Sequence, residues 1–384
     1  MRDNRTTPTR LSAAKLPAAL ALPAALALTL APALATSVGT NAQAQSSSSD
    51  LTALSSNRGL SDGLRPSDPP KRTPIEVETN PQVPGLPEGV KVDRIEWITN
   101  RRVAVFINSP SMPQHPIQVQ ILLARDWHSN PTAKFPEVWA LDGLRARDDE
   151  NGWTIETNIE QFYADKNVNV ILPVGGESSF YSDWQRENNG KHYKWETFLT
   201  KELIPVLTNE FRSNGSRAVV GLSMGGTAAV NLAERNPHLF KFVGSFSGYL
   251  DTTTTGMPTA IKAAQLDAGG YNSEAMWGPL GSQDWIDHDP KLGIENLKDM
   301  TVYVSAGSGV PGPADEKYLP QHRASGIALE NIANATTRAW SAKATATGVK
   351  HTAVFTPTGL HNWDQFGSQL EATKGRILNV MNAW

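Results

Sequence analysis

The chain has 384 residues, a formal charge of −3 and no cysteine. Its length allows a large buried core in one or two domains. The near-neutral charge, with no lysine or arginine block, excludes a partner bound through a phosphate backbone, so nucleic acid is not expected, and the lack of cysteine excludes thiol catalysis, disulfides and cysteine-ligated zinc.

Arg2, Arg5, Arg10 and Lys15 precede an apolar, alanine- and leucine-rich run from Leu16 to about Ala35, and Ala42-Gln-Ala44 supplies small residues at the −3 and −1 positions of a cleavage site. Residues 1–44 therefore read as a secretory leader. A retained membrane anchor is the alternative, because the run is nearly long enough to span a bilayer; Pro23, Pro32 and the downstream small residues favour cleavage. Residues 45–84 are rich in serine, proline and charge and read as a disordered tether, which leaves 85–384 as one folded domain exported to the cell envelope.

That domain opens with alternating β-prone runs at Val92–Ile98, Arg102–Ile107 and Ile117–Leu123, expected as antiparallel strands. More uniformly apolar runs follow at 137–141, 168–173, 218–220, 242–246 and 301–305, with a last strand from about His351 to Phe355. Helical patterns alternate with them, over 195–211, 224–235, 258–268, within 320–344 and from Trp363 onward. The fold class is α/β: a mostly parallel central sheet with antiparallel N-terminal strands and helices on both faces.

Gly221-Leu-Ser-Met-Gly225, between the apolar run Ala218–Val220 and an alanine-rich helix, fits the sharp strand–turn–helix elbow that exposes a nucleophilic serine, here Ser223, at a helix N-terminus. The backbone N–H of Met224 then points at an oxyanion formed beside it. In such chains the base comes last. His361, in the glycine-containing loop before the final helix, is the candidate, and His238, His288, His322 and His351 read as caps, starts and strand residues. The orienting acid is open among Asp315, Glu316 and Glu330, position alone slightly favouring the first two. The loop after strand 137–141 offers the N–H of Leu144 as a second oxyanion donor, although Asp142 there also reads as a local cap. The segment from Gly175 to Trp184 combines hydroxyls and aromatics, which suits a sugar or ordinary core packing. No zinc-protease or phosphate-loop pattern occurs, and the string Gly307-Ser-Gly-Val-Pro-Gly312 is broken by Pro311 and Pro313, so neither a metal nor an organic cofactor is expected.

Leu141-Asp-Gly-Leu-Arg145, Ser178-Ser-Phe-Tyr-Ser-Asp-Trp184, Tyr193-Lys-Trp-Glu-Thr-Phe-Leu199, Gly221-Leu-Ser-Met224, Asp267-Ala-Gly-Gly-Tyr271, Met276-Trp-Gly-Pro279 and His361-Asn-Trp363 occur in order, and with them the chain from about residue 90 onward resembles the antigen 85 family of secreted mycolyltransferases. The resemblance implies an α/β-hydrolase fold and a Ser223–Glu330–His361 triad, choosing Glu330 over the positionally favoured pair. It also implies oxyanion donors at Leu144 and Met224, and substrate contacts at Asp142, Arg145, Asp251, Asn362 and Trp363. Arg147 stands where the best-known members have Gln, close to the sugar site.

The implied activity is cofactor-free transfer of a mycolyl group from trehalose monomycolate, through an acyl-Ser223, to trehalose monomycolate or cell-wall arabinogalactan at the mycolate-containing outer envelope. Two other readings stay open. One is a secreted carboxylesterase or lipase with the same triad. The other is a cell-wall or host-matrix binding protein with a vestigial site, since family members also bind fibronectin.

Overall fold

A computed structural model describes residues 61–384. The leader expected over 1–44 and the first part of the expected tether lie outside the described residues.

Ten strands form one sheet: β1 (Glu76–Thr79), β2 (Lys91–Thr99), β3 (Arg102–Asn108), β4 (Ile117–Leu122), β5 (Phe135–Leu141), β6 (Asn169–Pro173), β7 (Ser213–Leu222), β8 (Phe242–Phe246), β9 (Thr301–Ala306) and β10 (His351–Phe355). Their spatial order is β1-β2-β3-β4-β6-β5-β7-β8-β9-β10. Pairing is antiparallel from β1 through β4 to β6 and parallel from β6 to β10. Successive side chains of a strand point to opposite faces, and β7 shows the consequence. Val219 joins one apolar layer, and Ala218 and Val220 join the other. Both faces are thus covered, which is why β5 to β9 read as continuous apolar runs rather than alternating ones.

The helices that matter for the site are α1 (Gly152–Glu156), α2 (195–209, π-helical over Phe198–Leu203), α3 (Met224–Arg235), α4 (Met257–Gly269), α5 (Pro320–Ala346) and α6 (Trp363–Met381). Asn362 caps α6, its side chain accepting the Gln365 N–H. Phe366, Leu370, Ile377 and Leu378 on that helix are wholly buried against the sheet, each contributing about 1.5–3 kcal/mol through the water it excludes. No helix among the described residues is long and apolar enough to cross a membrane.

One segment departs from its composition. Residues 61–84, read as part of a tether, lie along the domain from Ser61 onward. Asp62–Leu64 form a 3-10 turn with Leu64 buried, and Glu76–Thr79 pair with β2. Side chains elsewhere in the chain receive this segment, as described below.

Candidate active site

β7 ends at Leu222, and Ser223 turns the chain into α3 with φ 51° and ψ −123°, a conformation that costs a non-glycine residue free energy and recurs at functional turns. The turn leaves no space around it. A Cβ on Gly221 would lie 2.1 Å from the Gly225 carbonyl oxygen, so glycine is required there. The Ser223 N–H donates to the Phe246 carbonyl at 2.9 Å, tying the elbow to β8.

His361 follows β10. Its Nε2 lies 2.8 Å from Ser223 Oγ, and its Nδ1 lies 2.7 Å from Glu330 Oε2. These two contacts fix the tautomer: Nδ1–H donates to the carboxylate, which leaves Nε2 to accept the serine hydroxyl. The ring is held between Tyr249, stacked at 6.3 Å, and the edge of Phe366 at 5.1 Å, and the His361 backbone N–H donates to Gly326 at 3.1 Å. Gly326 and Glu330 are one turn apart on α5. The glycine lets the histidine loop come close, and the glutamate one turn on meets its ring.

Glu330 is fully buried, and its second oxygen is also held. Oε1 accepts the Ser247 hydroxyl at 2.7 Å and the Gly307 N–H. Asn334, one turn further along α5, donates to the Gly307 carbonyl at 2.6 Å. The glycine string at 307–312 therefore serves the carboxylate and opens no nucleotide-binding helix. Neither Ser247 nor Gly307 was a candidate from sequence. The one available signal was a glycine directly after an apolar strand, at the end where sites form in such sheets.

The positional preference for Asp315 or Glu316 as acid is overturned. Asp315 is buried elsewhere, one oxygen accepting the Gly312 N–H at 2.7 Å and the other the Asn362 amide at 2.6 Å. The long α5 carries Glu330 back to the histidine, a reach that chain order does not reveal.

Ser223 and His361 open onto a cavity. Its walls are largely apolar. One face of α4 supplies Thr259, Ala260, Ala263 and Ala264, α5 supplies Leu329 and Ile332, and Leu144, Phe180, Met224 and Tyr249 close the inner end. The Leu144 and Met224 N–H groups donate to no protein acceptor among the described residues, and both residues line this cavity beside Ser223. The remaining aromatics of 175–184 pack inside, with Tyr181 and Trp184 almost fully buried.

The other expected substrate residues sit differently. Asp142 is 1% exposed, and its carboxylate accepts the N–H of Gly143 at 2.7 Å and of Gly152 at 2.6 Å, the local-cap arrangement. Burial raises its pKa to about 6 despite those two bonds, which favour the charged form. Asp251 is placed away from the cavity lining, paired with Lys291 and bonded to Thr254 Oγ1 at 2.7 Å. Asn362 is the α6 cap described above. Arg145 and Trp363 are buried and do not line the cavity themselves, but each is bonded to an N-terminal residue that does, Ser61 or Leu64. Arg145 Nε donates to Ser61 Oγ at 2.7 Å, and the Trp363 indole N–H donates to the Leu64 carbonyl at 3.3 Å.

A serine hydroxyl, an imidazole and a buried carboxylate in series at the C-terminal ends of parallel strands define an α/β-hydrolase. A family model described as "Putative esterase" matches residues 109–377. The "Diacylglycerol acyltransferase/mycolyltransferase Ag85B" of Mycobacterium intracellulare is 40% identical over 258 residues, covering 65% of this chain and 76% of that one. The Ag85A of Mycobacterium leprae is 37% identical over 293 residues, 72% of this chain and 82% of that one. The chain belongs to the antigen 85 family of acyltransferases. Among solved structures, Mycobacterium tuberculosis MPT51 (FbpC1) matches with a TM-score of 0.59 and 28% identity, covering 72% of this chain and 97% of that one. The Staphylococcus aureus serine hydrolase FphF matches with a TM-score of 0.54 at 15% identity over 72% of this chain and 98% of that one, a likeness of fold.

Proposed function

We propose that this chain moves a mycolyl group from trehalose monomycolate to a second sugar hydroxyl, of trehalose monomycolate or of cell-wall arabinogalactan, through an ester on Ser223. The observation that carries the reading is the unbroken series Glu330–His361–Ser223 opening onto a largely apolar cavity, in a chain of this family. His361 Nε2 takes the hydroxyl proton as Ser223 Oγ attacks the ester carbon. The carbonyl π electrons move to oxygen, where the N–H groups of Leu144 and Met224 stabilise the charge. Collapse expels trehalose, which takes the proton from His361, and leaves mycolyl-Ser223. The acceptor hydroxyl then gives its proton to His361 and attacks the acyl carbon, and Ser223 departs with that proton. Glu330 holds the imidazole and favours its protonated form at both stages.

The apolar face of α4 suits an acyl chain, and the N–H donors of Arg145 and Trp363, which meet the cavity-lining Ser61 and Leu64, are of the kind a sugar uses. The leader expected over 1–44 supports an activity at the cell envelope. Mass spectrometry after incubation with a short-chain trehalose ester is expected to show an acyl adduct on Ser223, absent from Ser223→Ala. A folded wild-type protein without the adduct would refute the covalent route. A family description of esterase keeps hydrolysis as the second reading. Product partition separates the two: transfer is expected to dominate with millimolar trehalose present, and predominant free acid would make the protein an esterase.

A further inference from the structure

We propose that residues 61–72 form a strap that occupies the acceptor end of the cavity, where its own polar atoms take the donors a polyol would use, and that an acceptor must displace it to reach the acylated serine. This rests on the acyl-Ser223 reading above.

The strap begins inside the site. Ser61 and Leu64 line the same cavity as Ser223 and His361. The Ser61 hydroxyl accepts from Arg145 Nε at 2.7 Å and donates to Asp267 Oδ2 at 2.5 Å, while its N–H donates to the same oxygen at 2.9 Å. A hydroxyl set between a guanidinium and a carboxylate is the pairing a sugar hydroxyl makes with such groups. Three residues on, the Leu64 carbonyl takes the Trp363 indole N–H. The rest crosses the rim and is fastened beyond it. Pro66 lies over Gly152, the Ser67 N–H donates to Glu156 at 2.6 Å, Asp68 pairs with Arg147 at 2.7 Å and Arg72 with Glu150 at 3.2 Å.

The fastenings suit release. Asp68 is 94% exposed and Arg72 about a third exposed, so those ion pairs are weak, and Leu64 and Pro66 are the strap's buried apolar side chains. Pro66, Pro69 and Pro70 offer no backbone N–H and stiffen the segment, so it joins no sheet and lifts as a unit. Arg147, which stands in place of the glutamine of better-known family members, is the residue that receives Asp68.

A reversible lock tests this. A Cβ on Gly63 would lie 3.0 Å from His322 Cβ on α5, within a small adjustment of the roughly 3.5–4.5 Å of a disulfide. In a chain without cysteine, Gly63→Cys with His322→Cys creates the sole disulfide. With a p-nitrophenyl butyrate donor and trehalose as acceptor, the oxidised full-length protein is expected to transfer to trehalose at least tenfold more slowly than the reduced form, with the p-nitrophenol burst of Ser223 acylation within twofold. Equal transfer in both forms would overturn the strap. So would a burst lost on oxidation and regained on reduction, since the segment then closes the whole cavity and is not specific to the acceptor. No burst in either form refutes the acyl-serine reading and the strap with it. Independently, Ser61→Ala is expected to lower the KM for trehalose at least threefold, and an unchanged or higher KM counts against the proposal.

Discussion

The Ser247 hydroxyl donates to Glu330 Oε1 at 2.7 Å, on the carboxylate oxygen that His361 does not use. The hydrogen-bonded series Ser223–His361–Glu330 thus extends to a fourth side chain, which comes from the loop after β8. Ser247 itself has φ 54°, a left-handed conformation that glycine adopts without strain. Removing the hydroxyl leaves Oε1 with the Gly307 N–H alone, a loss of about 1–3 kcal/mol in a buried site. Ser247→Ala is expected to lower kcat about tenfold, the lower part of that range, with KM changed less than about twofold. Ser247→Gly also lacks the hydroxyl but relieves the backbone. It is expected to match the alanine variant in rate and to melt at a higher temperature than it. Equal rates for wild type and Ser247→Gly would show that the hydroxyl does not position Glu330.

Asp142 supplies a pH signature. Its folded pKa is raised to about 6 by burial, from 3.8. Between these values the folded state binds the extra proton, so the contribution to stability is fully present below about 4 and is lost as pH rises through about 6. The whole effect is of order 3 kcal/mol. Asp142→Asn removes the titration while keeping one acceptor oxygen for Gly143 or Gly152. Urea unfolding at pH 4.5 and pH 7 is expected to show wild type losing stability relative to Asp142→Asn at the higher pH. A difference between the two proteins that is independent of pH would place the titration elsewhere.

Arg217 and Glu137 form a buried ion pair at 2.8 Å between β7 and β5, and Glu137 also accepts the Trp139 indole N–H at 3.0 Å. Burial pushes the Glu137 carboxyl up and Arg217 opposes it. Arg217→Met is expected to cost about 3–5 kcal/mol at neutral pH by leaving that carboxylate without its counterion. Adding Glu137→Gln should recover most of the loss. The pair lies roughly 20 Å of strand before Ser223, so the folded fraction of either variant is expected to keep the wild-type kcat in the acylation assay. Loss of kcat in proportion to stability would instead couple the strand bases to the elbow.

The elbow, the sheet and the final helix were legible because each is built from a local pattern. Gly221 to Gly225 sits between an apolar strand and an alanine-rich helix, a helical pattern runs from Trp363 onward, and the buried strands read as unbroken apolar runs. Glu330 was not legible by position. It lies inside a 27-residue helix, where a carboxylate ordinarily faces solvent, and only a family motif pointed to it. Composition misled over residues 61–84. A serine- and proline-rich segment cannot build a core of its own, but it can be held by one already formed, and Ser61, Leu64 and Asp68 find partners 79 or more residues away.

What the amino-acid sequence determined alone was chemistry with a short range: a strained serine at a strand end, a late histidine, and no thiol or cysteine-bound metal with which to work instead. Chain position left open which carboxylate meets the histidine, and only the tertiary structure decided what holds that carboxylate and that the side-chain donors of Arg145 and Trp363 are already taken. The physical reason is separation along the chain. A turn or an amphipathic face is written within a few residues, whereas the contacts of Ser223 with His361, and of Ser61 with Arg145, join residues 138 and 84 positions apart and exist only once the sheet has brought its strand ends together.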